Sequence, residues 1–114
     1  IQQTARCFCQ RGFDTAVLDY RGVGGLELTS AKVGCCDAWR DLPTVLSAVV
    51  RGAHPRAPVL AVGFSMGGTI LLNHLSAEAA TTPIRAAATV SSPLLIAQHM
   101  QRLETGLDGR LVNL

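Results

Sequence analysis

Gly63-Phe64-Ser65-Met66-Gly67 is the stretch of this 114-residue chain whose residue types and spacing could do covalent chemistry. A serine with glycine two positions away on each side is the pattern of a nucleophile carried on a sharp strand-to-helix turn. Such a turn holds the serine in a strained backbone conformation and lifts its Oγ clear of the neighbouring chain. Gly63 and Gly67 are expected to be small because backbone passes too close to them for a Cβ. Gly68 extends the small-residue run into the helix start. The N–H of Met66, the residue after the serine, would be one oxyanion donor. The helix dipole behind it would favour the negative charge that develops in acyl transfer. A serine N-cap on a glycine-rich turn is the plain alternative, and it accounts for Ser65 but not for both flanking glycines.

A serine hydroxyl is a weak nucleophile without a histidine base and an acid to orient it. His74 lies nine residues further along the same helix, roughly 13 Å away at ~1.5 Å per residue, and cannot reach. His54 precedes the strand that leads to Ser65, which puts it at the opposite end of the sheet. His99 follows the next strand but falls in a helical stretch and reads better as a surface or lid residue. In hydrolases of this design the acid and the histidine follow the serine on later strands, so the catalytic set is expected to be incomplete here. Asp19 ends an apolar run and could line a pocket, though a turn-forming role suits it better. Asp37 and Asp41 bracket a helix start, where carboxylates cap or complement the dipole. Arg21 opens a loop at the same edge, either contacting substrate or holding the loop through an ion pair. Asp108 carries no specific signal.

The elements that must position Ser65 are legible around it. Residues 1–11 read as a helix stopped by Gly12 at a left-handed C-cap. Residues 15–20, Thr-Ala-Val-Leu-Asp-Tyr, form an apolar run suited to a buried strand. A glycine-rich loop follows at 21–25. Over 39–51, Leu42, Val45, Leu46, Val49 and Val50 make one apolar helical stripe. Pro43 is tolerated in the first turn. Residues 58–64 are apolar almost without alternation, as in a strand covered on both faces. A helix is expected over 66–79 with Leu71, Leu72, Leu75 and Ala79 inward, then a buried strand over 84–90 and helix beyond 94. Helix and strand alternate, which predicts an α/β fold with three parallel strands.

Composition narrows the classes. The chain is 48% apolar and 16% charged with a net charge of +2. The charge is spread without a basic block or interleaved aromatics, which argues against nucleic acid. No apolar run reaches the ~18 residues of a membrane span, and no signal peptide is visible. The chain starts at Ile1 within a helical pattern and reads as part of a longer protein. Cys7, Cys9, Cys35 and Cys36 have poor spacing for zinc and read as small buried or half-buried thiols, with a mild preference for a reduced, intracellular setting.

Several segments in order resemble one family. Asp19-Tyr20-Arg21-Gly22 followed by Gly24-Gly25 looks like its loop after a core strand, and Trp39-Arg40-Asp41-Leu42 like the next helix start. Residues 57–68 are similar to its nucleophile strand and elbow, and Leu71-Leu72-Asn73-His74-Leu75 to the helix behind. Ser91-Ser92-Pro93 with Leu103-Glu104-Thr105-Gly106 resembles a strand end and first lid helix. These resemble the abhydrolase-domain lipid esterases of the α/β-hydrolase superfamily, which include the embryogenesis-associated hydrolases. The resemblance implies an α/β-hydrolase core over residues 1–93 and the start of a helical lid over 94–114. It implies hydrolysis of carboxylic esters, with acylglycerols, phospholipids or small acyl esters as substrates and no metal or organic cofactor. Ser65 would be the nucleophile, Met66 an oxyanion donor, and Gly63, Gly67 and Gly68 the elbow. The resemblance also implies that the whole protein could associate with a membrane. Acyl transfer on the same elbow, and a non-catalytic protein that kept the fold, are the alternatives.

Overall fold

A computed structural model describes residues 1–25, 27, 29, 31 and 36–105. The chain divides into two compact units, Ile1–Ala57 and Pro58–Leu114.

The first unit opens with helix α1, Gln2–Cys9. Gly12 follows with φ 85°, the left-handed conformation expected where the chain leaves a helix. Phe8 and Phe13 close this corner edge to face, with ring centroids 5.9 Å apart. The apolar run 15–20 forms no strand ladder. Val17 and Leu18 are each 46% exposed. An apolar run becomes a strand only where a neighbour accepts its hydrogen bonds, and no described residue plays that part.

The expected helix over 39–51 is present but wound in three ways. A 3₁₀ segment, Cys36–Asp41, leads into helix α2, Leu42–Val45, and then a π-wound segment, Leu46–Arg51. Pro43 sits in the first turn of α2, where its missing N–H costs nothing. Val45 and Val50 are stiff at χ1 and lower α propensity through this stretch. Leu46 is its buried apolar anchor.

The second unit carries the site. Strand β1, Val59–Phe64, leads to helix α3, Met66–Glu78, and then to strand β2, Ile84–Val90. The two strands pair in parallel, with Phe64 opposite Val90 at their C-terminal ends. α3 packs against both strands. Its buried residues are Gly68, Thr69, Ile70, Leu71 and His74, while Ala79, expected inward, is exposed.

The described sheet therefore has two strands, one fewer than the pattern predicts, because 15–20 stays outside it. Nor are the strands covered on both faces. Leu60 is 54%, Val62 42% and Val90 45% exposed, since one helix covers one face of a sheet. Beyond β2, helix α4 spans Ile96–Thr105. The rest of the expected lid, 106–114, lies outside the described residues, as do Cys35 and Asp108. No helix among the described residues is long and apolar enough to cross a membrane.

Candidate active site at the turn between β1 and α3

Ser65 is the single residue between β1 and α3, with φ 50° and ψ −126°. A non-glycine residue there costs about 1–3 kcal/mol and persists only where its surroundings impose it. Three backbone bonds impose it here. The Ser65 N–H donates to the Val90 carbonyl at 2.9 Å, and the Ser65 carbonyl accepts from the N–H groups of Gly68 at 3.0 Å and Thr69 at 3.3 Å. The strand ladder thus runs up to Ser65, and the helix starts from its carbonyl. Although Ser65 holds the N-cap position, its side chain makes no capping hydrogen bond. A capping serine has β-region dihedrals and bonds an amide of the first turn. Ser65 does neither, and it is exposed.

Glycine is required beside it for steric reasons at two positions. A Cβ on Gly63 would lie 2.5 Å from the Gly68 Cα and 2.7 Å from both the Gly67 carbonyl oxygen and the Gly68 nitrogen. A Cβ on Gly68 would collide with the Ser92 hydroxyl. Gly67 differs from expectation, because a Cβ there would meet nothing within 4 Å. The close approach runs between Gly63 and Gly68, across the elbow. Met66 is the first residue of α3, so its N–H has no partner within the helix.

Next to the elbow, Ser91 leaves β2 with φ 51°. Because Phe64 pairs with Val90, Ser65 and Ser91 are the residues that follow a paired position, and both are left-handed. Pro93 follows, and its carbonyl accepts a 2.8 Å hydrogen bond from the Thr69 hydroxyl. Thr69 and Ser91 carry no composition or spacing signal of their own. The only sequence hint is the polar Ser-Ser-Pro directly after an apolar strand.

No histidine is brought to Ser65 by the described contacts. His74 is 1% exposed, and its Nε2 pairs with the Thr82 hydroxyl at 2.9 Å. Its Nδ1 is buried without a hydrogen-bond partner. Burial pushes the His74 pKa below its ordinary 6.5, and nearby Glu78 opposes this in part. In the first unit, His54 Nε2 lies 3.2 Å from the Asp14 carboxylate. His99 is on α4, and its side chain lies outside the described residues.

Asp41 and Asp19 of the first unit have structural contacts. Arg21 meets Asp41 with both Nε and Nη2, each at 2.7 Å from a carboxylate oxygen. The hydrogen bond to Asp41, then its charge, raises the Arg21 pKa further above the usual guanidinium value. Asp41 stands at the N-cap of α2 but makes no capping bond; its carboxylate is turned to Arg21 instead. Asp19 packs on Gly24, where a Cβ would lie 2.8 Å from its Oδ2, in keeping with a loop-forming role.

Comparisons with known proteins agree on the family. A family model described as "Serine aminopeptidase, S33" matches residues 1–113. Over 102 residues the chain is 44% identical to Phospholipase ABHD3 from Bos taurus, a match covering 90% of this chain and 25% of that protein. The human protein of the same name gives the same identity and coverage. Medium-chain fatty acid ethyl ester synthase/esterase 2 from Saccharomyces cerevisiae is 32% identical over 81 residues, covering 71% of this chain and 18% of that protein. The chain thus spans about a quarter of the length of the phospholipases it matches. No solved structure matches it significantly.

Proposed function

Since the chain belongs to the α/β-hydrolase family described as serine aminopeptidase S33, and within it to the abhydrolase-domain proteins, we propose that Ser65 is the nucleophile of a serine esterase acting on lipid or acylglycerol esters. The observation that carries this is the state of Ser65 itself. It is held in a strained left-handed turn, exposed, with a hydroxyl that caps nothing. An N-cap role would need neither the strain nor the free hydroxyl.

In the proposed reaction Ser65 Oγ attacks the ester carbonyl carbon and gives its proton to a base. The Met66 N–H donates to the oxyanion. Collapse of the tetrahedral intermediate expels the alcohol, which takes that proton, and water then releases the acid and regenerates Ser65. His74 is paired with Thr82 inside the unit and is not the base. We assign the base and its acid to residues of the whole protein outside this chain, in keeping with relatives about four times its length. Within the chain, residues 1–93 are assigned to the hydrolase core and 94 onward to the lid.

Esters are favoured over peptide amides because the relatives at 44% identity are named phospholipases, although the family description names an aminopeptidase. Transfer to an alcohol is a second reading, favoured by the yeast relative whose name includes ester synthase. The test is turnover of a diacyl phospholipid, a monoacylglycerol and an aminoacyl amide by the whole protein, with and without ethanol, beside Ser65→Ala. Free acid from either lipid, lost in Ser65→Ala, supports the esterase. Ethyl ester as the main product selects transfer. Cleavage of the amide alone sinks the lipid assignment.

A further inference from the structure

We propose that Thr69 is a positioning residue for Ser65, acting through its hydrogen bond to the Pro93 carbonyl. The proposal rests on the assignment of Ser65 as nucleophile. Thr69 is 5% exposed, so its hydroxyl has little access to solvent and needs a protein partner. A threonine inside a helix commonly bonds back to the carbonyl four residues earlier, which here is Ser65. Instead Thr69 Oγ1 reaches out of the helix and donates to Pro93 at 2.8 Å, 24 residues away.

That bond fastens the exit of β2 to the first turn of α3. The exit is pinned at both ends, at Val90 by the Ser65 N–H and at Pro93 by Thr69. Between the pins lies Ser91, at φ 51°, a conformation the chain leaves unless it is held. Ser92 rests against Gly68, where no Cβ fits. Pro93 has no N–H, so its carbonyl is the backbone group through which Pro93 itself can be held. Thr69 is also tied directly to Ser65, since its N–H donates to the Ser65 carbonyl at 3.3 Å. A turn or slip of α3 that breaks the Thr69 bond therefore moves the Ser65 seat and the Met66 amide together. Displacements of about 1 Å at a reacting centre cost up to ~100-fold in rate.

The test compares Thr69→Val, of the same shape without the hydroxyl, and Thr69→Ser, which keeps it, with wild type in the whole protein. Two quantities are read well below the melting temperature: the rate of fluorophosphonate labelling, and kcat and KM for the ester that wild type turns over. We expect Thr69→Val to lose about tenfold or more in labelling rate and kcat, with KM within about twofold, and Thr69→Ser to stay within about threefold of wild type in rate. A lower melting temperature with an unchanged labelling rate would make Thr69 merely structural and overturn the proposal. If Thr69→Val does not fold, Thr69→Ser decides: a tenfold loss there, with the hydroxyl present, also overturns it. Failure of wild type to label would instead remove the Ser65 assignment, and this one with it.

Discussion

At Ser65 the backbone is strained while the side chain is unused by the fold, and the two facts make separable predictions. Ser65→Ala removes the hydroxyl but keeps a Cβ at φ 50°, so it should not relieve strain. Ser65→Gly removes both and should be more stable than Ser65→Ala by roughly 1 kcal/mol in denaturant unfolding, strain relief exceeding the entropy of glycine. Equal stabilities would mean that the turn is unstrained. The flanking glycines divide in the same way. Gly63→Ala drives a Cβ into backbone and should cost about 1–3 kcal/mol or more. Gly67→Ala enters open space and should be neutral or stabilising by up to about 0.5–1 kcal/mol.

His74 gives a pH prediction at the same scale. Its folded pKa lies below 6.5 because burial disfavours the charged ring. The unfolded state therefore binds more protons as the pH falls through that range, and stability falls with it. The contribution is fully present above about pH 6.5 and is lost as the pH drops toward the folded pKa. Melting temperature measured from pH 8 to pH 5 should fall more steeply in wild type than in His74→Gln. Parallel curves would contradict the assignment.

Among the elements, the order β1, α3, β2 was legible because two short apolar runs flank a longer helical one and glycine or proline punctuates their ends. Ile84–Val90 falls where the apolar run predicts it. The elbow was legible too, since a glycine pattern at a strand-to-helix junction has few other causes. The strand expected at 15–20 was not, because a strand is a relation between segments and sequence shows only one partner. Nor could spacing reveal that Gly68, rather than Gly67, is the sterically required glycine on the helix side, or that Thr69 reaches Pro93, since both depend on where β2 ends. The sequence reads Asp41 as a cap or dipole complement at the helix start, and its carboxylate instead pairs with Arg21. That ion pair is largely exposed, so its effect on stability is small and screened by salt. Arg21→Gln should change the unfolding midpoint less in 1 M salt than in 0.05 M salt, and an equal change at both would point to a role beyond charge.

Across the whole molecule, apolar surface remains uncovered on the two-stranded sheet, at Leu60, Val62 and Val90, and at Leu94 and Leu95 before α4. Exposed apolar strands with open edges pair with other chains, and the identity to phospholipases about four times as long fits a unit whose sheet is completed by further strands. The 114-residue chain on its own should therefore elute as associated species and bind a hydrophobic dye. A dye-silent monomer would show that the exposed face is not adhesive. The central claim, that Ser65 is the nucleophile, is tested most directly by treating the whole protein with a fluorophosphonate and locating the adduct by peptide mass spectrometry. A single phosphonyl group on the peptide containing Ser65, absent after Ser65→Ala, is the expected result. An adduct on another serine, or ester turnover that persists in Ser65→Ala, would contradict it.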